Sequence, residues 1–146
     1  MISNKHARFK YEILETMECG IVLIGTEVKS LRQGKVSLEE AYARIEGGEL
    51  YLLGCSITPY EHGNQMNHEP LRKRKLLVHR RELRKIEGKL TQKGLTLVPL
   101  RLYFTRGLAK IEIALATGKT QFDKREKIKS RQMDRDIKRE LKRYNH

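Results

Sequence analysis

The stretch "LTLVPLRLYFTRGLAKIEIALATG", Leu95 to Gly118, reads as two strands joined by a turn at Thr105-Arg106-Gly107. On its second strand Ile111, Ile113 and Leu115 point one way, while Lys110, Glu112 and Ala114 point the other. That two-residue period belongs to a sheet with one face on a core. A second pair lies upstream in "EAYARIEGGELYLLGCSI", Glu40 to Ile57, where two alternating runs meet at Gly47-Gly48. Paired glycines take positive φ at little steric cost and suit a hairpin. "YEILETMECGIVLI", Tyr11 to Ile24, adds a strand bent near Gly20.

Two helices separate these strands. "GTEVKSLRQGK" has Thr26 as N-cap, Val28 and Leu31 three apart, and Gly34 as a stop. "HRRELRKIEGKLTQKG" puts Leu83, Ile86 and Leu90 on one face, with Gly94 as its C′ residue. Gly88 inside it costs roughly 1 kcal/mol relative to Ala and predicts a loose last turn. Residues 58–70 are loop chemistry, rich in Pro, Gly and Asn. The sum is five or six short strands and two helices without βαβ alternation, which argues against a parallel doubly wound sheet. A mainly β fold follows, a small, partly open antiparallel barrel with flanking short helices. It occupies residues 1–118, followed by a basic C-terminal tail over 119–146.

Charge indicates the partner. The 146 residues carry a formal net charge of +13. From Lys119 onward 11 Lys or Arg stand against 5 Asp or Glu, and residues 1–118 hold 20 against 13. Body and tail are both basic, so both recruit a polyanion, either nucleic acid or an anionic membrane. No stretch approaches the roughly 20 apolar residues of a span, and "MISNKHARFKY" carries no signal-peptide pattern. Cys19 and Cys55 sit in apolar stretches and are expected as buried thiols in a reducing cytoplasm. Nucleic acid is the expected partner, with no membrane role.

The densest basic cluster is "RKRKLLVHRRELRK", Arg72 to Lys85, with eight Lys or Arg and one Glu. Charges of one sign at this density repel one another unless a polyanion joins them, which points to RNA contact. "NKHARFKY" sets Asn4, Lys5, Arg8 and Lys10 around Phe9 and Tyr11. Such a mixture suits the exposed bases of RNA loops, and a frayed terminus is equally compatible with it. Chemistry is poorly provided for. His62, His68 and Cys55 match no metal-ligand spacing. The three Asp (Asp123, Asp134, Asp136) all fall in the tail, so the body lacks the Asp cluster of a two-metal nuclease. Glu39-Glu40 and Glu46/Glu49 sit at hairpin edges, and no Gly-rich phosphate loop, G-x-S-x-G or C-x-x-C occurs. The reading is a binder, not an enzyme, with no catalytic residues, metal or cofactor. In the tail, Met133, Ile137, Leu141 and Tyr144 form one helical stripe among Arg131, Arg135, Lys138, Arg139, Lys142 and Arg143. A stripe so thin predicts a helix that forms on a polyanion rather than alone.

Five separated segments, "NKHARFKY", "ECGIVLIGTEVKSLRQGK", "NHEPLRKRKLL", "LVPLRLYF" and "GKTQFDKR", resemble in order the tmRNA-binding small protein B family of bacteria. The resemblance implies an oligonucleotide-binding-type barrel and a tail unstructured when free. It implies trans-translation, the rescue of ribosomes stalled on messages lacking a stop codon. The implied partners are the elbow of the tRNA-like domain of tmRNA, the ribosome at its small-subunit decoding centre and empty mRNA channel, and the elongation factor carrying aminoacyl-tmRNA. Asn4, Lys5 and Glu18 correspond to the family's tmRNA-binding surface. Lys29 and Arg32 in "EVKSLR", and Arg72, Arg74 and Lys75 in "PLRKRK", match motif positions read as phosphate contacts. Lys119, Phe122, Asp123, Lys124 and Arg125, followed by Lys129 and Arg131, form the ribosome-binding tail. There Phe122 is placed to stack on a base, worth roughly 1–3 kcal/mol. Thr120 stands where the family usually has Lys, and Ser37 where Asn is common. The alternative reading is a ribosomal protein or general translation factor of similar fold.

Overall fold

A computed structural model describes residues 1–61, 67–92 and 94–118. The hairpin read from the sequence forms as β8 (Leu95–Thr105) and β9 (Leu108–Gly118). Arg106 and Gly107 close it with φ of 52° and 79°, both in the positive range that matches the right-handed twist of the flanking strands. The second hairpin forms as β4 (Tyr42–Glu46) and β5 (Glu49–Leu53), turning at Gly47-Gly48. It stops short of Ile57. Gly54 adopts φ 71°, and a Cβ there would collide with the Glu40 carbonyl oxygen, so the chain breaks direction at this glycine.

The remaining elements are β1 (Ile2–Ser3), α1 (Ala7–Lys10), β2 (Tyr11–Ile21), α2 (Gly25–Arg32), β3 (Val36–Ser37), β6 (Ser56–Ile57), β7 (Arg74–Leu77) and α3 (Arg80–Leu90). Antiparallel pairing runs β8–β4–β5–β7–β2–β9 and returns from β9 to β8, closing a ring; β1 adds to β8, and β3 pairs with β6. Two seams are short. Only Ala43 and Leu97 pair between β4 and β8, and β2 meets β7 at Gly20↔Leu77 and Ile21↔Leu76. The fold is the mainly antiparallel β barrel with short helices that the sequence predicts. It exceeds the expected strand number by β1, β3 and β6, each of two residues, too short to show a period.

Two β-bulges organise the core. The register shifts between Ile13 and Glu15 on β2, and between Pro99 and Arg101 on β8. One extra residue inverts which side chains face inward. On β8, Leu97 points into the barrel before the bulge, and Leu102 and Phe104 do so after it; Val98 and Leu100 face outward. On β2, Met17, Cys19 and Ile21 face inward, whereas Tyr11 and Ile13 lie on the outside. Ile111, Ile113 and Leu115 of β9 fill the interior as expected. Ala114 and Ala116, on the opposite face, are also fully buried. There they join Ala7, Val98 and Leu100 in a second small core beneath α1.

The helices depart from expectation at their ends. Ile24, not Thr26, is the N-cap of α2, and its N–H donates to Glu27 Oε1 at 2.8 Å. The Thr26 hydroxyl instead meets buried His68 at Nδ1, 2.8 Å away. Helix α3 ends at Leu90 with Thr91 as C-cap, so Gly94 (φ 88°) opens β8 rather than closing the helix. The last turn beyond Gly88 is tied by the Thr91 hydroxyl, which donates to the Gly88 carbonyl at 2.7 Å. Cys19 and Cys55 are buried free thiols. Burial pushes Cys19 up to about 12 and Cys55 up to about 11, so neither is a thiolate near neutrality.

Candidate nucleic-acid interface

Register places Glu18 of β2 opposite Glu112 of β9, Glu112 opposite Arg101 of β8, and Arg101 opposite Ser3 of β1. Like charges directly opposite on neighbouring strands destabilise a sheet, so the Glu18–Glu112 pair needs partners. Arg101 Nη2 donates to Glu112 Oε2 at 3.1 Å. The Tyr103 hydroxyl donates to Glu18 Oε2, and the Arg101 guanidinium lies 4.8 Å over the Tyr103 ring. Desolvation, then the hydrogen bond to Glu18 and its charge, push Tyr103 up to about 12, so it keeps its proton. Glu18 is exposed. Tyr103 fixes its direction and leaves acceptor positions open to solvent, where an amino group or N–H can donate.

A polar cleft of about 470 Å³ borders this row, lined by Ser3, Asn4, Lys5, Arg8, Leu100, Arg101 and Glu112. Asn4 builds its wall. Its Nδ2 donates to Leu38 O at 3.1 Å and Pro99 O at 2.9 Å, and its backbone N–H donates to Leu100 O at 2.7 Å. The Asn4 Oδ1 is buried without a partner. Lys5 and Arg8 are exposed, while Ala7 between them is buried in the outer core. The N-terminal segment is therefore seated rather than frayed. Cations and a carboxylate line this cleft, and the exposed ring of Phe9 (78% accessible) follows Arg8 on α1. Such a face offers donors to phosphate, acceptors to base edges and a plate for stacking.

The "PLRKRK" motif is used differently. Glu27 and Arg74 are both wholly enclosed. Arg74 donates to Glu27 Oε2 (2.6 Å from Nε), to Cys55 O (2.7 Å) and to Pro70 O (3.1 Å). Arg72 Nη2 donates to Glu27 Oε1 at 2.6 Å. Burial alone would raise Glu27; the Arg72 hydrogen bond, the Ile24 N–H and the Arg74 guanidinium outweigh it and hold the carboxyl below its ordinary value. The phosphate-contact expectation for Arg74 is therefore corrected: a saturated, buried guanidinium cannot reach a phosphate. Arg72 is partly spent on the same carboxylate. His68 completes this interior, with one ring nitrogen bonded to Thr26 and the other to the Ile57 carbonyl (2.9 Å).

Lys75 pairs with Glu49 at 3.0 Å, and Lys73 with Glu46 at 2.7 Å beside the Tyr51 ring. These bonds hold Glu46 and Glu49 below the usual carboxylate range, leaving the β4–β5–β7 face nearly neutralised. On α2, exposed Lys29 lies 5.2 Å over Tyr60 and exposed Arg32 lies 5.1 Å over Phe104. Among the described residues neither forms a salt bridge.

The structure thus gathers Asn4, Lys5 and Glu18 near one outer face, puts Lys29 and Arg32 on α2, ties Arg72 and Arg74 to Glu27 of that same helix, and pairs Lys75 with Glu49 on β5. Lys119, Phe122, Asp123, Lys124, Arg125, Lys129 and Arg131 lie outside the described residues. Arg101, Tyr103 and Glu112 are additions to the sequence reading. Their signal was the alternation of Arg101 with Tyr103 on one face of "LRLYF", but their partner Glu18 is 85 residues away from Tyr103. Among the described residues no group of three or more His, Cys, Asp or Glu could hold a metal ion. None of the described helices is long and apolar enough to cross a membrane.

Comparison with known proteins gives a consistent answer. The family model described as SmpB protein matches residues 1–143. An SsrA-binding protein of Pelotomaculum thermopropionicum is 56% identical over 139 residues, covering 95% of this chain and 91% of that one. One from Thermosynechococcus vestitus is 55% identical over 140 residues, covering 95% and 92%. A chain in the solved structure described as "tmRNA-SmpB: a journey to the center of the bacterial ribosome" superposes with a TM-score of 0.69 at 58% identity, over 82% of this chain and 84% of that chain. With barrel, sequence and family model in agreement over almost its whole length, the chain belongs to the SmpB protein family.

Proposed function

We propose that this chain is the RNA-binding adaptor of trans-translation, holding the tRNA-like domain of tmRNA on its barrel and bringing it to stalled ribosomes. The observation that carries the reading, beside family membership, is the Glu18–Glu112–Arg101 row beside the Lys5–Arg8 cleft. It combines base-edge acceptors with phosphate donors on one surface. In this reading Lys5, Arg8 and Arg101 meet phosphates of the elbow, and Glu18 accepts from base amino groups. Lys29 and Arg32 supply further cations. The protein acts without catalysis, metal or cofactor, in the cytoplasm. The tail from Lys119 onward enters the decoding centre and empty mRNA channel, with Phe122 stacking and Lys119, Lys124, Arg125, Lys129 and Arg131 on phosphates around Asp123. The elongation factor that carries aminoacyl-tmRNA is the third partner.

Truncation after Gly118 tests this division. The shortened chain is expected to bind the tRNA-like domain within a few-fold of the full chain and to lose tagging of stalled products. Retained tagging, or lost RNA binding by a folded barrel, contradicts it. Sequencing co-purified RNA separates the reading from a general translation factor, because the adaptor enriches tmRNA over ribosomal RNA.

A further inference from the structure

The basic cluster Arg72 to Lys85 divides into two halves of opposite character. Its strand half is spent within the protein: Arg74 and Arg72 on Glu27, Lys73 on Glu46, Lys75 on Glu49. Its helix half is not. Arg80, Arg81, Arg84 and Lys85 are exposed, and among the described residues none of them forms a salt bridge. Arg81, Arg84, Lys85 and Gly88 fall at i, i+3, i+4 and i+7, one stripe of α3. That stripe lies opposite Leu83, Ile86 and Leu90, which pack on the core.

The solvent face of α3 works against its own helix in three ways. Arg80 and Arg81 occupy the first turn, where the helix dipole disfavours cations. Arg80–Arg84 and Arg81–Lys85 are like-charge pairs at i, i+4. Gly88 lowers helix stability, and nothing lies within 4 Å of the space its Cβ would occupy, so intramolecular packing gives no reason for it. A polyanion relieves the first two costs, and a bare backbone at Gly88 permits close approach for a phosphate.

We propose that this face of α3 is a second contact for the phosphate backbone of the tRNA-like domain, continuous with the Glu18 surface. The inference rests on the functional reading above. Continuity comes from Lys85, which lines with Thr16 and Met17 the cleft between α3 and β2. Thr16 and Glu18 share the outer face of β2 two residues apart.

The test is a salt series of binding titrations of the full chain to the tRNA-like fragment of tmRNA. The double variant Arg81→Glu/Arg84→Glu is expected to raise Kd tenfold or more at 0.15 M salt. It should also lower the slope of log affinity against log salt by about 2, since each phosphate contact contributes roughly 0.9. A Kd and slope matching the parent in a variant that melts normally overturn the proposal. Gly88→Ala should raise the melting temperature while weakening binding at least threefold; a stabilised variant with full affinity overturns the close approach. Arg44→Gln, removing a cation already paired with Glu46, should leave Kd within twofold; an equal loss there reduces the effect to net charge. Full RNA affinity in the double variant, with ribosome association alone reduced, assigns the face to ribosomal RNA and also overturns the proposal. If the parent chain itself does not bind the fragment, it is the functional reading that fails.

Discussion

Two acid–base clusters in this barrel use the same residue types to opposite ends. The Glu27–Arg72–Arg74 cluster is folded into the interior, and its carboxylate is met from several sides. The Glu18–Glu112–Arg101 row lies on the outer face, where two carboxylates sit side by side with one guanidinium and one phenol between them. A buried carboxylate with saturated partners is a fold element. An exposed one held in a fixed direction with open acceptor positions is, in the proposed function, a ligand element. Composition cannot tell them apart; burial and hydrogen-bond count do.

Breaking the interior cluster should have the largest effect. Glu27→Gln leaves two arginines facing an uncharged amide, one of them enclosed. Removing one partner of a buried ion pair costs about 3–5 kcal/mol, and urea unfolding is the measurement. Acid probes the same group. Because the folded-state carboxyl lies below its ordinary value of 4.5, the stability it contributes is fully present above that value. That contribution is lost as pH falls through the lower folded value. Unfolding free energy should therefore drop below pH 4.5, and Glu27→Gln should flatten that part of the profile.

Smaller effects are expected outside. Tyr103→Phe removes the hydroxyl that orients Glu18 and should weaken RNA binding about threefold, with stability changing by roughly 1 kcal/mol or less. Lys75→Gln, on a half-exposed pair with Glu49, should change stability by no more than about 0.5 kcal/mol. Its RNA affinity should stay within twofold, which would sharpen the distinction between spent and available cations.

Legibility in the sequence followed periodicity. The two hairpins and both longer helices carried patterns long enough to read, down to the inward set Ile111, Ile113 and Leu115. What escaped had physical reasons. β1, β3 and β6 are too short for any period, and α1 spans four residues. Each bulge adds a residue and inverts the inward parity, so Val98 and Leu100 lie on the outer face with Ala114 and Ala116. The burial of Arg74 depends on Glu27, 47 residues away. No local pattern announces a cation whose partner comes from another element. Lys5 stood out by the company of residues in "NKHARFKY", Glu18 by resemblance alone, and their adjacency to Arg101 and Tyr103 is a matter of strand register.

The central claim is that the exposed row binds RNA without holding the fold together. Parallel titration and urea unfolding of Glu18→Gln test it most directly. Hydrogen bonds to a charged group contribute about 1.5–3 kcal/mol, so Kd for the tRNA-like domain should rise roughly tenfold or more. The unfolding midpoint should stay at that of the parent chain. Parental affinity in this variant, or a loss of stability that accounts for the weakened binding, would contradict the account.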